Sequence, residues 1–280
     1  MAMGFGCNAA GVVGCRIIDS PRERLIAILT NSMVPCNGRF PTLIMLITIF
    51  FMGIGSQSGG ILESFTTAIV LTAFILLGVL ATLLSSLLLS KTVLKGIPSS
   101  FTLELPPYRR PQIGKVIVRS IFDRTLFVLG RAVCVAAPAG LIIWIAGNLF
   151  IDGQSLLSHM SSFLDPFGRF LGMDGMILVG FILGFPANEI VVPIILMGYL
   201  QTGSLVEMSD PSALMGLFAA HGWTMKTAVC MAVFALFHWP CSTTCLTVKK
   251  ETGSIRWTVV SFLLPTVIGI ILCSLINFIF

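Results

Sequence analysis

Residues 184–193 of this 280-residue chain read Gly184-Phe185-Pro186-Ala187-Asn188-Glu189-Ile190-Val191-Val192-Pro193. They lie inside an apolar run from Met176 to Leu200. Such a run is long enough to span a bilayer, since a spanning helix needs about 20 apolar residues. Pro186 and Pro193 each lack a backbone N–H, so this run is predicted to be a broken helix.

Two polar residues, Asn188 and Glu189, lie between these prolines and indicate the role of the break. A carboxylate at membrane depth costs roughly 3 kcal/mol or more unless it faces protein, water or a cation. Broken backbone at that depth is tolerated only where it lines a cavity or packs in protein. Asn188 and Glu189 are therefore predicted to form a binding site on a transport path. The alternative is a proline-kinked helix with a protonated, hydrogen-bonded Glu189.

The composition is that of a polytopic membrane protein with mostly helical spans. Hydrophobic residues make up 56% of the chain and charged residues 10%, against about 25% charged in soluble domains. Mean hydropathy is +0.98. The net charge of +5 does not indicate nucleic acid, because the Lys and Arg residues lie between apolar runs. The expected partner of these surfaces is membrane lipid.

The arrangement of spans follows from apolar runs and basic segments. Residues 65–89 are predicted to be the cleanest span, and further spans are expected at 132–151 and 258–280. Residues 105–108 are predicted to be extended, 112–131 to form an amphipathic surface helix, and 152–174 to be a loop with a short helix.

Orientation follows the positive-inside rule, which predicts that the basic segments 91–131 and 249–256 are cytoplasmic. Counting 176–200 as one full crossing would misplace 249–256. The conflict disappears if 176–200 is a re-entrant hairpin that turns near residues 186–189.

A second set of breaks suggests a degenerate repeat. Gly4-Phe5-Gly6-Cys7-Asn8 aligns with residues 184–188, and Val34-Pro35-Cys36 aligns with Trp239-Pro240-Cys241. Paired interrupted segments in two halves of a chain are typical of transporter binding sites. Chance similarity is the alternative, because the spacings differ.

Seven of the eight cysteines fall into two groups. Cys134, Cys230 and Cys273 lie in plain apolar sequence and are predicted to pack as buried thiols. The remaining candidates, which sit beside Gly, Pro or polar breaks, are Cys7, Cys36, Cys241 and Cys245.

His238-Trp239-Pro240-Cys241-Ser242-Thr243-Thr244-Cys245 is the densest of these segments. Cys241 and Cys245 are four residues apart and would share one helix face. Imidazole and sulfur ligands suit borderline divalent metals such as ferrous iron, and Glu189 would add an oxygen ligand. The alternative is a packing interface in which small Ser, Thr and Cys residues let helices approach closely.

Five stretches in one order resemble the membrane part of the FeoB-type ferrous iron transporters. They are Gly4 to Asn8, the region from Arg22 to Arg39, Glu104-Leu105-Pro106-Pro107-Tyr108-Arg109, Gly184 to Pro193, and His238 through Ser254. The resemblance implies an all-α membrane fold with discontinuous helices and two Gate-type repeats around a FeoB-specific region. It places Cys7 in the pathway motif of the first repeat, and Asn188 and Glu189 in that of the second.

The resemblance also implies a domain division and a set of metal ligands. The expected division is residues 1–60 (remainder of the first repeat and start of the FeoB-specific region), 61–114 (FeoB-specific helix and loop) and 115–280 (second repeat and terminal helices). The candidate ligands are Cys7, Cys36, Asn188, Glu189, His238, Cys241 and Cys245.

The implied function is ferrous iron transport across the inner or plasma membrane, with Fe²⁺ as substrate and no permanently bound cofactor. Family members usually carry a GTPase domain, but this sequence has no G-x-x-x-x-G-K-[ST] motif. A GTPase in cis or in trans is therefore an expected partner, as is a second copy of the chain. The alternatives are a Gate-family channel or carrier for another solute such as a nucleoside, and a scaffold that anchors a soluble partner through 91–131.

Overall fold

The computed structural model describes residues 2–51, 61–94, 112–119, 127–151, 153–208 and 210–280. The helices are α1 Asn8–Gly14, α2 Pro21–Thr30, α3 Phe40–Leu46, α4 Ile61–Lys91, α5 Ile113–Arg119, α6 Phe127–Asn148, α7 Leu156–Phe170, α8 Gly175–Leu183, α9 Val191–Leu200, α10 Pro211–Ala220, α11 Met225–Phe237, α12 Ser242–Thr252 and α13 Ile255–Ile279. Two-residue strands, β1 Phe150–Ile151 and β2 Gln154–Ser155, pair antiparallel. The all-α class is confirmed.

Four helical segments are long and apolar enough to cross a membrane. They are Pro21–Phe50, Phe65–Lys91, Met225–Thr252 and Ile255–Ile279. Helices α7 and α8, bent by 109° at their junction, would form a fifth span if they are counted together. The predicted span at 65–89 is confirmed, and it carries an outward face of leucines suited to lipid.

The first long segment, Pro21–Phe50, begins with a helix start that the sequence predicts. Ser20 is the N-cap of α2, its hydroxyl oxygen accepts the Glu23 N–H at 3.4 Å, and Pro21 follows at the first helical position. The helix ends at Thr30. A short 3₁₀ turn at Asn31–Met33 and the extended residues around Pro35 then interrupt the segment before α3.

The predicted hairpin within 176–200 is also present. Helices α8 and α9 pack antiparallel and are joined by the break at 184–190. Glycines allow this close packing: a Cβ built at Gly180 would lie 2.7 Å from Ile195 Cγ1, and one at Gly184 would lie 2.5 Å from Val191 Cγ2. Asp174 caps the start of α8 by accepting the Ile177 N–H at 2.7 Å.

The second break, between α11 and α12, lies at His238–Cys241 as the sequence predicts. Pro240 cannot donate a backbone hydrogen bond, and His238 leaves the helix in an extended conformation (φ −68°, ψ 172°). Helix α12 ends at Gly253, whose positive φ of 64° allows the tight turn into α13.

The helices that lead to the breaks are about half as long as a membrane span. The ten residues of α2 and the eleven of α12 each extend about 15–17 Å from a break to one end of the molecule. That is half of a hydrocarbon core about 30 Å thick. At that end Arg16 pairs with Glu251 at 2.6 Å, so the N-terminal segment and the end of α12 lie together.

The C-terminal end of α4 lies at the same end of the molecule. Arg22 donates to the carbonyls of Leu94 and of Ser90, the latter at 3.1 Å. The end of α4 and residues 249–252 therefore share one side, as the orientation rule requires; that this side is cytoplasmic stays a prediction.

Some expectations need correction. Residues 152–174 were expected to be a loop with a short helix, but α7 is a 15-residue amphipathic helix that starts at the N-cap Ser155. Cys134, expected to pack, is exposed on α6.

Other expectations remain open. The surface helix expected at 112–131 is described only as α5 and the start of α6. The extended segment 105–108 lies outside the described residues, and the division at 60 and 114 stays a prediction.

Helix α4 touches both breaks through one glycine. A Cβ at Gly78 would lie 2.9 Å from the Met33 carbonyl oxygen, 3.3 Å from Pro35 Cδ and 3.3 Å from Leu236 Cδ1. A backbone oxygen cannot move aside cheaply, so the glycine sets how closely α4 covers the breaks.

We expect Gly78→Ala to lower the melting temperature of the detergent-purified chain, with a loss of about 1–3 kcal/mol from overpacking. Gly140→Ala is the matched control, because Gly140 lies in α6 with open space where its Cβ would be. Alanine there should be neutral or stabilising by up to about 1 kcal/mol. Equal melting temperatures for the two variants would contradict the close contact of α4 with the breaks.

Candidate functional site

The two halves of the chain repeat one backbone geometry at the positions that the motifs align. Cys7 precedes α1 with φ −153° and ψ 125°, and Ala187 precedes the 3₁₀ turn Asn188–Ile190 with φ −151° and ψ 121°. Cys36 and Cys241 are likewise both extended residues that precede a helical turn. This agreement supports the predicted correspondence of the breaks.

Each half also has a backbone hydrogen bond between its two breaks, with accepting carbonyls one position apart in the alignment. Asn37, which follows Cys36, donates its N–H to the Gly6 carbonyl at 3.3 Å. Ser242, which follows Cys241, donates its N–H to the Phe185 carbonyl at 2.9 Å. These carbonyls, which have no partner within a helix, thus receive donors from the neighbouring break.

Three predicted site residues meet across the two halves. Asn188 Nδ2 lies 4.0 Å from Cys36 Sγ, and Asn188 Oδ1 lies 3.2 Å from His238 Nε2. All three side chains are buried: Cys36 is 9% exposed, Asn188 7% and His238 2%. The structure therefore brings the first break, the hairpin turn and the second break together. We call the buried cluster of Cys36, Asn188 and His238 the polar point.

His238 is held in an orientation that suits a metal ligand. Its Nδ1 lies 2.9 Å from the Ala235 carbonyl oxygen and its Nε2 lies 3.2 Å from Asn188 Oδ1, so the neutral ring can donate to only one of the two; when Nδ1 holds the proton, Nε2 presents a lone pair. A hydrogen bond from the other ring nitrogen to a backbone carbonyl is the usual arrangement around metal-binding histidines. Two ligands about 2.1 Å from one metal ion lie about 3.0–3.4 Å apart, and the Nε2–Oδ1 separation falls in this range.

Glu189 and Cys7 are both exposed. A Cβ at Gly38 would lie 3.3 Å from Glu189 Oε1, while neighbouring Asn37 binds the carbonyl of Gly6. Glu189 and the segment before Cys7 therefore both approach the 3₁₀ turn at Asn37–Arg39. Direct opposition of Cys7 and Glu189 stays a prediction.

The remaining candidate ligands, Cys241 and Cys245, make local contacts. Cys241 Sγ lies 3.2 Å from Thr244 Oγ1, and the Cys245 thiol donates to the Pro240 carbonyl at 3.6 Å. Across the part of the chain that the structure describes, no three His, Cys, Asp or Glu side chains are grouped to hold a metal ion. The seven predicted ligands are thus not gathered into one preformed set.

Arg39 is the residue that sequence reasoning missed. It is 1% exposed and donates to four backbone carbonyls, those of Ser32, Leu236, His238 and Trp239, at 2.8–3.3 Å. The signal was available, because a charged residue between two apolar segments is by default functional. Three of its four partners, about 200 residues away, were not predictable from local pattern.

Cys230 and Cys273, two of the cysteines predicted to pack, contact each other. Cys273 donates its thiol to the Cys230 carbonyl at 3.3 Å, so these two cysteines pack α11 against α13 as predicted. Both are 0% exposed.

The fold and the site together define the chain as a polytopic membrane protein whose interrupted helices meet around a buried polar point. Two family models match it: "Ferrous iron transport protein B C terminus" over residues 60–123, and the Gate family, described as "Nucleoside recognition", over residues 129–255. These matches agree with the resemblance to the C-terminal membrane part of the FeoB-type family that the motifs indicate.

Curated relatives match nearly the whole chain. A Staphylococcus aureus protein named "Fe(2+) transporter FeoB" is 28% identical over 97% of this chain, and one of the same name from Leptospira interrogans is 27% identical over 94%. A Porphyromonas gingivalis "Fe(2+) transport protein A/Fe(2+) transporter FeoB fusion protein" is 25% identical over 94%. The chain spans only 39%, 40% and 35% of these relatives' lengths. No solved structure matches it.

The hydrogen bond that closes the second break can be tested with proline. Ser242 is the first residue of α12, where proline fits a helix but lacks the N–H that reaches Phe185. Ser242→Pro should therefore lower the free energy of unfolding by about 1–3 kcal/mol, the usual cost of an unpaired buried carbonyl.

Ile255→Pro is the control for this change, since Ile255 is the exposed first residue of α13 and should tolerate proline. Ser242→Ala separates the loss of the hydroxyl from the loss of the N–H. Thermal unfolding in detergent measures all three variants. A Ser242→Pro chain as stable as Ile255→Pro would show that this bond does not hold the break.

Proposed function

We propose that this chain is the ion-conducting membrane part of a ferrous iron transporter of the inner or plasma membrane. The observation that carries the proposal is the meeting of Cys36, Asn188 and His238 at the mid-depth breaks. An imidazole nitrogen lies 3.2 Å from an amide oxygen, with a thiol sulfur on the other side of the same amide. Nitrogen, sulfur and oxygen together suit ferrous iron, a borderline divalent ion.

The structure, with Cys36, Asn188 and His238 buried between the breaks, is called the closed arrangement. We propose that this arrangement must open for an ion to pass. The three buried side chains form the inner part of the site, while Glu189 and Cys7 at its edge meet the ion first. A carboxylate and a thiolate neutralise a divalent charge and offset the cost of removing its water. Cys241 and Cys245, at the start of α12, would receive the ion as it leaves the buried point.

The names of the relatives favour iron over other solutes. Proteins that match 94–97% of this chain are named Fe(2+) transporters, whereas the description "Nucleoside recognition" belongs to the Gate match alone, over 129–255. A nucleoside site would also need aromatic and amide groups for a base, but the buried point offers one amide, one imidazole and one thiol. The nucleoside alternative is therefore not favoured.

We further propose that a GTPase, joined in cis or bound in trans, drives the transport. The chain covers about two fifths of relatives that carry the same membrane region. The basic segment 91–131, which the orientation rule places on the cytoplasmic side, is the surface that such a partner would reach. Association of two copies would be compatible with the exposed apolar helix faces.

Iron uptake by variants tests the proposal. The chain is expressed with the N-terminal part of the Staphylococcus aureus relative in cells that lack ferrous uptake, and ⁵⁵Fe²⁺ entry is measured at matched membrane expression. We expect Cys36→Ser, His238→Gln, Glu189→Gln and Cys7→Ser each to reduce uptake by at least about tenfold, since a ligand lost at a transition step costs about 1.4 kcal/mol or more.

The matched control is Cys134→Ser, which alters an exposed thiol away from the breaks and should leave uptake nearly intact. Normal uptake by His238→Gln together with Cys36→Ser would refute the proposed site. Deleting 97–113 addresses the scaffold alternative: lost partner binding with unchanged iron uptake would favour a scaffold role for 91–131.

A further inference from the structure

The hydrogen bonds of Arg39 replace donors that both breaks have lost. In an uninterrupted helix the Leu236 carbonyl would accept the N–H of residue 240, but that residue is a proline. Arg39 Nη1 donates to this carbonyl at 2.8 Å instead, and Nη2 donates to the His238 and Trp239 carbonyls at 3.0 and 3.3 Å. The second break is thus completed by a side chain from the first half.

The same guanidinium also holds the first break. Arg39 Nη1 donates to the Ser32 carbonyl at 2.8 Å, in the 3₁₀ turn that follows α2. One planar group therefore spans carbonyls from both halves of the chain. The fixed fork of donors in arginine makes this possible, whereas the single nitrogen of a lysine cannot bridge several carbonyls in the same way.

The hydrogen bonds of the buried Arg39 guanidinium favour the closed arrangement, in which the two breaks are held together. The guanidinium forms no ion pair with a carboxylate in the described part of the chain, and its Nε has no hydrogen-bond partner there. A buried cation is costly unless its donors are satisfied. Moving the two breaks apart would break hydrogen bonds from Arg39 to carbonyls of both halves, so these bonds resist opening.

The closed arrangement buries the inner part of the site, which is Cys36, Asn188 and His238. Cys36 precedes the turn that contains Arg39, and His238 supplies one of the carbonyls that Arg39 binds. Both side chains, like Asn188, are less than 10% exposed. An ion can reach them only when the contact between the two breaks loosens.

We propose that Arg39 is a latch: it holds the two helix breaks together, keeps Cys36, Asn188 and His238 shut off from water, and must release its carbonyls for the site to open. That the opened site receives ferrous iron rests on the proposed function. The latch itself is a statement about how Arg39 positions the two breaks, and it can be tested without iron.

The test measures how fast individual cysteines of the full 280-residue chain, in native membranes, react with a water-soluble maleimide. Labelling is quantified peptide by peptide by mass spectrometry. We expect Arg39→Gln to raise the labelling rate of Cys36 by at least about tenfold over the unmodified chain. Cys230 and Cys273, packed between α11 and α13, should stay protected and report that the fold is intact.

Arg22→Gln is the matched control. Arg22 also donates to two backbone carbonyls, those of Leu94 and Ser90, but at the end of the molecule away from the breaks. Its removal should leave the labelling of Cys36 unchanged. Arg39→Lys keeps the charge without the fork, so it should give a labelling rate between those of the unmodified chain and Arg39→Gln.

Two outcomes would overturn the latch. One is unchanged Cys36 labelling in Arg39→Gln with Cys230 and Cys273 protected. The other is simultaneous exposure of Cys273 and Cys36 in both Arg39→Gln and Arg39→Lys, which would show that Arg39 is needed for the whole fold. If Arg39→Gln alone unfolds, Arg39→Lys decides: Cys36 labelling at the unmodified rate refutes the latch.

Labelling in the presence of added Fe²⁺ distinguishes the latch from the proposed iron site. Anaerobic Fe²⁺ added to the Arg39→Gln membranes should slow the labelling of Cys36 if the opened site binds iron. A Cys36 that becomes reactive but gains no protection from Fe²⁺ would support the latch and contradict the iron site.

Discussion

The structure depends on how backbone carbonyls released by proline are satisfied in the middle of apolar helices. Water is scarce at that depth, and an unpaired carbonyl there is costly. Pro240 releases the Leu236 carbonyl, and Arg39 supplies the missing donor from about 200 residues away. The two halves of the chain are therefore joined where each is interrupted, and the polar side chains around the breaks are brought together as a consequence.

The lengths of the half-helices α2 and α12 explain why we place this junction near the middle of the membrane. Helices α2 and α12 are each about half as long as a membrane span, and the ends away from the breaks lie near the Arg16–Glu251 pair, so we place the breaks at mid-depth in the proposed membrane position. The glycine of α4 that contacts Met33 and Leu236 covers the junction from a third side. Mid-depth breaks that are bonded to each other leave little room for water, and the buried state of Cys36 and His238 follows from that.

The parts that sequence predicted were those with a local cause. Ser20-Pro21 starts α2 because a hydroxyl cap and a proline suit a helix N-terminus, and Pro240 interrupts its segment because it lacks an N–H. The contact of His238 with Asn188 was expected only as proximity, and Arg39 was not assigned at all. Its role arises from carbonyls far away in the sequence, and no periodic pattern reports such a partner.

Two other corrections have the same origin. Helix α7 contains Pro166 and many polar residues, which suggest a loop, but its apolar residues recur at helical spacing, and capping by Ser155 and packing on α8 make it a helix. Cys134 lies in apolar sequence, but which face of α6 contacts the bundle is decided by neighbours. Burial at a given position is a property of tertiary packing, and apolar context alone does not fix it.

The most direct test of the account is the iron K-edge X-ray absorption spectrum of Fe²⁺ bound anaerobically to the purified chain. A site built from Cys36, His238 and Asn188 requires one sulfur neighbour at about 2.3 Å with nitrogen and oxygen at about 2.1 Å. The account predicts that this sulfur signal is present and is lost in Cys36→Ser. A spectrum with only oxygen and nitrogen neighbours, identical in the two proteins, would contradict it.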